Sequence, residues 1–269
     1  MKLVIDVGNS RVKWAWAKEG RLVDVGAADR HSGVWERSIF DAGHLPEEIR
    51  VANVAGPGVE AQVKGVLAAG FGVNPVFASS AARGAGVRNG YADPAQLGVD
   101  RWLALCAAWV RHGSRLCVVD AGTATTFDIV TDDGQHAGGL ILAGLDLLQS
   151  ALIGGTSDLA RLSATASEVA ARPGDAGRLG RDTATGIRQG AVLATAHLAI
   201  GCLRSCPARS GAPPVLVLTG GASSVILPAL RDIAGGPVAG AIPPFALEER
   251  PELVLEGLAL DPPCFARTS

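Results

Sequence analysis

Two short segments of the chain place an acidic side chain where it can do chemistry. Asp6 follows an apolar run in LVIDVGNSRVKW (3–14), and Asp120 follows a similar run in LCVVDAGTATTFDIV (116–130). In both, the Asp leads into a Gly-centred turn, where backbone N–H groups can approach an anion closely because Gly has no Cβ. This is the chemistry of a metal and nucleotide site. Its repetition predicts two related lobes that hold one phosphate chain between them.

The side chains around these turns suggest how a nucleotide would be held. Each Asp can hold a cation directly or through water, and three small side chains nearby can donate to phosphate oxygens: Asn9, Ser10 and Thr123. Lys13 can reach a terminal phosphate as a point charge. The segment LTGGAS (218–223) supplies a Gly pair after a buried strand, where an adenosine can lie against bare backbone. Either turn alone is also typical of an ordinary hairpin, so the prediction depends on the duplication.

A third segment, NGYADPAQLGVDRW (89–102), carries Asp100 and Arg101 near the start of a predicted helix. A carboxylate that faces a phosphate site can orient an attacking hydroxyl and accept its proton. A simpler interpretation stays open, in which Asp100 only complements the helix dipole and Arg101 is solvated. Likewise, Tyr91 can cap a loop, and Thr183 can be a helix N-cap.

The elements that position these segments alternate between strands and helices. Residues 1–27 predict a strand meander, and three successive strands within 116–142 mirror it. The stretch 28–45 is polar and irregular. A helix is predicted to open near Pro94 and to end at 111–113, and Ala-rich helices are predicted at about 145–171 and 183–206. The pattern predicts an α/β protein of two similar lobes, residues 1–113 and 114–269.

Composition restricts the classes of partner. A formal net charge of −2 provides no basic field for nucleic acid, and no apolar stretch is long enough to span a bilayer. The five cysteines are odd in number and scattered, which favours reduced thiols and a cytoplasmic protein. We predict no nucleic-acid or membrane partner. We assign the histidines to surface or packing roles: His31, His44, His112, His136 and His197.

The ordered set of segments resembles the type III pantothenate kinases, whose bacterial relatives include proteins labelled Bvg accessory factor. The segments that carry the resemblance are DVGNS, NGYADPAQLGVDRW, DAGTATTFDIV, GGLILAGLDLLQSAL, RDTATGIRQGAV, LTGGAS and PELVLEGL. The resemblance implies two RNase H-like lobes of the acetate and sugar kinase, Hsp70 and actin superfamily. It also implies transfer of the γ-phosphoryl group from ATP to pantothenate, the first step toward coenzyme A, in a homodimer that uses Mg²⁺ and either K⁺ or NH₄⁺.

The resemblance assigns roles residue by residue. It implies a first phosphate loop formed by Asp6, Val7, Gly8, Asn9, Ser10, Arg11, Val12 and Lys13, in which Asp6 serves Mg²⁺ through water. It implies an acceptor site formed by Tyr91, Gly98, Val99, Asp100 and Arg101, in which Asp100 is the proton acceptor. Asp120 matches the ligand of the monovalent cation and Thr123 an ATP contact. Thr183 matches a residue that reaches the substrate of the neighbouring subunit.

Two positions depart from the family pattern, and two other functions stay open. Ser10 stands where most relatives have Thr, which retains the hydroxyl, and Ala143 replaces a common Pro. Another kinase of the superfamily would share the phosphate turns without needing the segment 89–102. A nucleotide-binding regulatory accessory protein would not need all three of Asp6, Asp100 and Asp120.

Overall fold

The computed structural model describes residues 1–154, 179–205, 213–235 and 244–268. Contacts divide the chain into two units. The first comprises residues 1–113, 134–136 and 252–269, and the second comprises residues 114–133 and 137–251.

The first unit contains a six-stranded mixed sheet in the order β13-β5-β4-β1-β2-β3. Its strands are β1 (Lys2–Val7), β2 (Arg11–Lys18), β3 (Arg21–Asp29), β4 (Glu48–Asn53), β5 (Val76–Ser79) and β13 (Ala266–Thr268). The short strands β6 (Arg83–Gly84) and β7 (Val87–Arg88) form a separate pair. Three α-helices also lie before residue 114: α1 (Val34–Asp41), α2 (Pro57–Phe71) and α3 (Val99–His112).

The second unit repeats the strand order of the first. Its strands are β8 (Leu116–Ala121), β9 (Ala124–Val130), β10 (His136–Ala143), β11 (Val215–Thr219) and β12 (Ala246–Glu249), and its helices are α4 (Leu145–Gly154), α5 (Thr183–Ser205) and α6 (Ser223–Gly235). The sheet order β10-β9-β8-β11-β12 matches β3-β2-β1-β4-β5, with an antiparallel second strand and a parallel fourth strand beside the first in each case. The duplicated motif therefore reflects a duplicated sheet.

Each sheet buries its own core. Leu3, Ile5 and Val51 pack with Trp16 and Ile39 in the first unit. The second unit packs its sheet against α5 and α6 through a cluster that includes Cys117, Phe127, Ala196, Leu216 and Ile226. Because β1 and β8 are almost fully buried, the polar residue at the end of each strand is fixed by the core beside it.

Two local expectations differ from the structure, and a third can be compared only in part. The polar stretch 28–45 contains helix α1, which buries Trp35 and Ile39. The helix predicted to open at Pro94 begins at Val99 instead. Pro94 starts a short 3₁₀ turn that Asp93 caps by accepting a hydrogen bond from the Ala95 N–H. The predicted helix at 145–171 is described only as far as Gly154, and its remainder lies outside the described residues.

The C-terminal segment packs with the first unit, whereas the sequence-based division assigned it to the second lobe. Helix α7 (Leu253–Ala259) lies against α3, and β13 pairs antiparallel with β5. Buried Arg50 on β4 donates from Nη1 to the carbonyls of Leu258 (2.9 Å) and Leu260 (2.8 Å), and from Nη2 to the carboxylate of Asp261 (2.9 Å). These bonds attach the segment to the first sheet.

Candidate active site

The first acidic turn joins β1 to β2. Asp6 lies opposite Lys13 in the antiparallel register, and the Gly8 N–H donates to the Arg11 carbonyl at 2.9 Å, which closes the turn. Asn9 and Ser10 are exposed at its tip. The turn therefore presents an amide and a hydroxyl at its tip, with a carboxylate and an ammonium group at its base. This donor set fits a phosphate chain with a hydrated divalent cation.

Arg30, which follows β3, braces this turn. Its Nε donates to the Asn9 carbonyl at 2.9 Å, and its backbone N–H donates to the Ser10 carbonyl at 3.0 Å. Both carbonyls at the tip therefore accept a hydrogen bond from Arg30. These bonds fix the orientation of the backbone that carries Asn9 and Ser10, the two candidates for phosphate binding. No local sequence pattern indicated Arg30, because the β2–β3 register shifts at an irregularity between Trp14 and Trp16.

The second acidic turn joins β8 to β9. Asp120 lies opposite Thr126, and the Gly122 N–H donates to the Ala124 carbonyl at 3.1 Å. Thr123 is exposed, and its carbonyl accepts from the Gly144 N–H at 3.0 Å. Asp120 thus lies beside a turn whose carbonyl and carboxylate oxygens are the ligands that a hard monovalent cation requires.

The Gly pair of LTGGAS lies against this second turn. β11 runs parallel to β8 with Thr219 opposite Asp120, and Gly220 has φ +91°. A Cβ on Gly220 would stand 2.5 Å from the Asp120 Oδ1, so a larger residue is excluded by space as well as by backbone conformation. The structure therefore brings the double-Gly turn and Asp120 together within the second unit, and the adenosine site stays a prediction.

The acceptor candidates gather at the start of α3. Gly98 is the N-cap residue and Val99 begins the helix. Asp100 lies in the first turn, where its Oδ1 accepts from the Arg101 N–H at 2.8 Å, and the positive end of the helix dipole favours a charged carboxylate.

Arg101 is not the solvated neighbour that the simpler interpretation proposed. It is only 7% exposed, its Nη1 donates to the Tyr91 hydroxyl at 3.0 Å, and its Cζ lies 5.6 Å from the centre of the Tyr91 ring. The Tyr91 N–H donates to the Asn89 Oδ1, which holds the loop at the ring. The predicted residues Tyr91, Gly98, Asp100 and Arg101 therefore form one cluster in the first unit.

Thr183 is exposed at the start of α5. The cap of this helix is Asp182, whose carboxylate accepts from the Thr185 N–H and the Thr185 hydroxyl, both at 2.8 Å. These hydrogen bonds lower the pKa of Asp182 below its ordinary value. The N-cap role considered for Thr183 thus belongs to its neighbour.

The described residues contain no cluster of three or more His, Cys, Asp or Glu side chains suited to holding a metal ion. Among the helices described, none is long and apolar enough to cross a membrane.

Comparison with known proteins identifies a matching family and similar sequences. A family model described as type III pantothenate kinase matches residues 2–205. A type III pantothenate kinase from Nitrosococcus oceani is 34% identical over 267 residues, covering 96% of this chain and 92% of the relative. Another from Halorhodospira halophila is 37% identical over 269 residues, covering 96% of each.

One solved structure shares the fold of this chain although the two sequences differ at most positions. A protein from Sinorhizobium meliloti, described as a 2-dehydro-3-deoxygalactonokinase, superposes with a TM-score of 0.54 at 14% identity and covers 96% of this chain and 97% of its own. The two repeated α/β sheets therefore share the fold of this kinase structure, and the predicted α/β fold of two RNase H-like lobes is confirmed.

Proposed function

The chain belongs to the type III pantothenate kinase family, and we propose that it phosphorylates pantothenate through Asp100, Arg101 and Tyr91. The reaction transfers the γ-phosphoryl group of ATP to the primary hydroxyl of pantothenate and begins coenzyme A biosynthesis. The observation that carries the assignment of roles is the cluster at the start of α3, where a carboxylate lies next to a buried guanidinium bonded to a tyrosine hydroxyl.

On the phosphate side, we assign the turn from Asp6 to Lys13 to the β- and γ-phosphates. The exposed Asn9 and Ser10 donate to phosphate oxygens, and Lys13 adds a positive charge. Asp6 would hold Mg²⁺ through water, and the ion would supply positive charge beside the phosphates.

In the second unit, we assign Thr123 to ATP and Asp120 to a monovalent cation, K⁺ or NH₄⁺. Such a cation supplies positive charge near the transferring group. Asp120 is suited to this role because it lies near the end of a buried strand, with its Oδ1 2.5 Å from the position that a Cβ on Gly220 would take.

On the acceptor side, Asp100 orients the hydroxyl of pantothenate and takes its proton as the oxygen attacks phosphorus. Arg101 and Tyr91 bind pantothenate beside it, and a positively charged guanidinium complements the carboxylate of that substrate. Because the Asp100 Oδ1 is engaged by the Arg101 N–H, the carboxylate is oriented before substrate arrives.

We also propose a homodimer. Four large apolar side chains are exposed on β10 and α4: Leu140, Ile141, Leu147 and Leu152. β10 is an edge strand of the second sheet, and a second copy of the chain would cover these side chains. Thr183 would then serve the acceptor of the partner subunit. Light scattering with Ile141→Lys tests this proposal, since a charge on that face should produce monomers, and an unchanged mass would count against it.

We propose the cytoplasm as the site of the reaction because the scattered cysteines favour reduced thiols, and the four cysteines within the described ranges form no disulfide. The absence of a nucleic-acid partner stays a prediction from the net charge of −2, and the absence of a membrane partner stays a prediction from the shortness of the apolar stretches.

One assay separates this function from its rivals. Purified protein is incubated with ATP and Mg²⁺, with and without K⁺, and ADP release is measured with pantothenate or with a panel of sugars and small acids. Release that requires pantothenate supports the proposal. Release with a sugar instead would identify another kinase of the superfamily, and nucleotide binding without turnover on any acceptor would identify a regulatory protein.

A further inference from the structure

His136, the first residue of β10, lies beside the acceptor cluster although nothing in the sequence pointed to it. The residue is 1% exposed. Its ring is nearly parallel to that of Tyr91, with 12° between the planes and 5.9 Å between the centroids. Its Nδ1 accepts a hydrogen bond from the Gly90 N–H at 3.4 Å. His136 therefore contacts both the ring of Tyr91 and the backbone immediately before it.

The loop that carries Tyr91 is attached to the segment that carries His136. The Arg88 N–H donates to the Gly134 carbonyl at 2.8 Å, and the Arg88 Nε donates to the Gln135 Oε1 at 3.1 Å. A Cβ on Gly90 would overlap the His136 carbonyl, so the two backbones touch at this point. The position of Tyr91 is thus set by residues 134–136 as well as by its own loop.

From Tyr91 the contacts continue to Arg101. The Tyr91 hydroxyl accepts from the Arg101 Nη1 at 3.0 Å, and Arg101 follows Asp100 directly. Rotation of the Tyr91 side chain about its Cα–Cβ bond would carry the hydroxyl away from Arg101 and would leave the buried guanidinium with fewer acceptors. The stack on His136 restricts that rotation.

We propose that His136 is a positioning residue for the acceptor site: its ring fixes Tyr91, and Tyr91 in turn fixes Arg101 for pantothenate. This inference rests on the proposed function. It assigns His136 no contact with substrate and no proton transfer, so its effect falls on acceptor binding and not on ATP.

A matched pair of variants separates the effect of the aromatic ring from that of the Nδ1 hydrogen bond. His136→Leu and His136→Phe both remove the Nδ1 acceptor, but only Phe keeps an aromatic plane against Tyr91. A stacked aromatic pair contributes enough to predict a rise of about 3- to 10-fold in KM for pantothenate in His136→Leu. His136→Phe should retain most of the native KM. In both, kcat and KM for ATP should stay within about twofold of the native values.

The chain offers a spectroscopic readout because Tyr91 is its only tyrosine. Protein labelled with 3-fluorotyrosine should give one ¹⁹F resonance, which reports the surroundings of this ring without any turnover. The resonance should move toward the value of an exposed tyrosine in His136→Leu and move less in His136→Phe. If His136→Leu does not fold, His136→Asn replaces it, because Asn loses the ring but can still accept from the Gly90 N–H.

The outcomes distinguish this inference from the proposed function. Native protein that does not phosphorylate pantothenate would refute the proposed function, whatever the resonance shows. Native activity with an unchanged KM for pantothenate in His136→Leu would refute the positioning role, even if the resonance moves. Equal losses in kcat and in both KM values would also refute it, because they would indicate a general structural effect. A selective rise in KM together with a shifted resonance supports it.

Discussion

Replacing Asp100 by Asn tests the base assignment with little disturbance of the structure. Asn keeps an oxygen at the position of Oδ1, so the 2.8 Å hydrogen bond from the Arg101 N–H can persist. The lost charge in the first turn of α3 should lower the free energy of unfolding by only about 0.3 to 1 kcal/mol. Loss of a general base should lower kcat by about 10²- to 10⁴-fold, which corresponds to about 2.7 to 5.4 kcal/mol in activation free energy.

The assay is steady-state release of ADP at saturating ATP, Mg²⁺ and K⁺ with pantothenate varied. KM for ATP should stay within about twofold, since Asp100 is assigned to the acceptor. Glu60→Gln is the matched control, because Glu60 also lies in the first turn of a helix, α2, and loses the same charge. Its kcat should be unchanged. A folded Asp100→Asn protein with native kcat would refute the assignment of Asp100 as base.

Three further predictions follow from the structure. Asp120→Ala should abolish stimulation by K⁺, measured as rate against KCl at constant ionic strength; an equal response in the variant would contradict the cation assignment. Arg30→Ala should raise KM for ATP by about 3- to 10-fold through loss of the hydrogen bond to the Asn9 carbonyl. Arg30→Lys should raise this KM less. An unchanged KM in Arg30→Ala would show that the hydrogen bonds from Arg30 are not needed to position the turn. The pKa of Asp261 is lowered, chiefly by the hydrogen bond from Lys2 and also by Arg50. The carboxylate therefore stabilises the fold above about pH 4, and this contribution is lost as the pH falls further. Because Asp261 is 57% exposed, Asp261→Asn should cost at most about 1 kcal/mol at pH 7 and nothing near pH 2, measured by thermal unfolding; an equal cost at both pH values would contradict the ionic origin.

Local patterns were enough to predict both acidic turns. An apolar strand followed by Asp and Gly specifies a strand, its end and its hairpin within about ten residues, and β1, β2, β8 and β9 form where this pattern predicts them. The family was also predicted from the order of such segments, and the relatives confirm it.

Local sequence patterns did not predict the structure where residues far apart in the chain contact each other. Helix α1 forms in a polar stretch because Trp35 and Ile39 pack into the core of the first sheet. The local sequence does not reveal this contact. Arg30 reaches the first turn only through the irregular register of β2 and β3. His136 packs against Tyr91 through a contact between segments 45 positions apart, so the sequence predicted a surface or packing role for it without indicating its partner.

The return of residues 252–268 to the first sheet has a consequence for how this protein is made. The ribosome releases the first 113 residues long before it releases α7 and β13, yet β5 pairs with β13 on one side, and Arg50 donates to carbonyls of that late segment. The growing chain must therefore leave the β13 side of β5 unpaired until residues 252–268 have emerged. The sheet beside Asp100 thus gains its last strand only after the second unit has been synthesised.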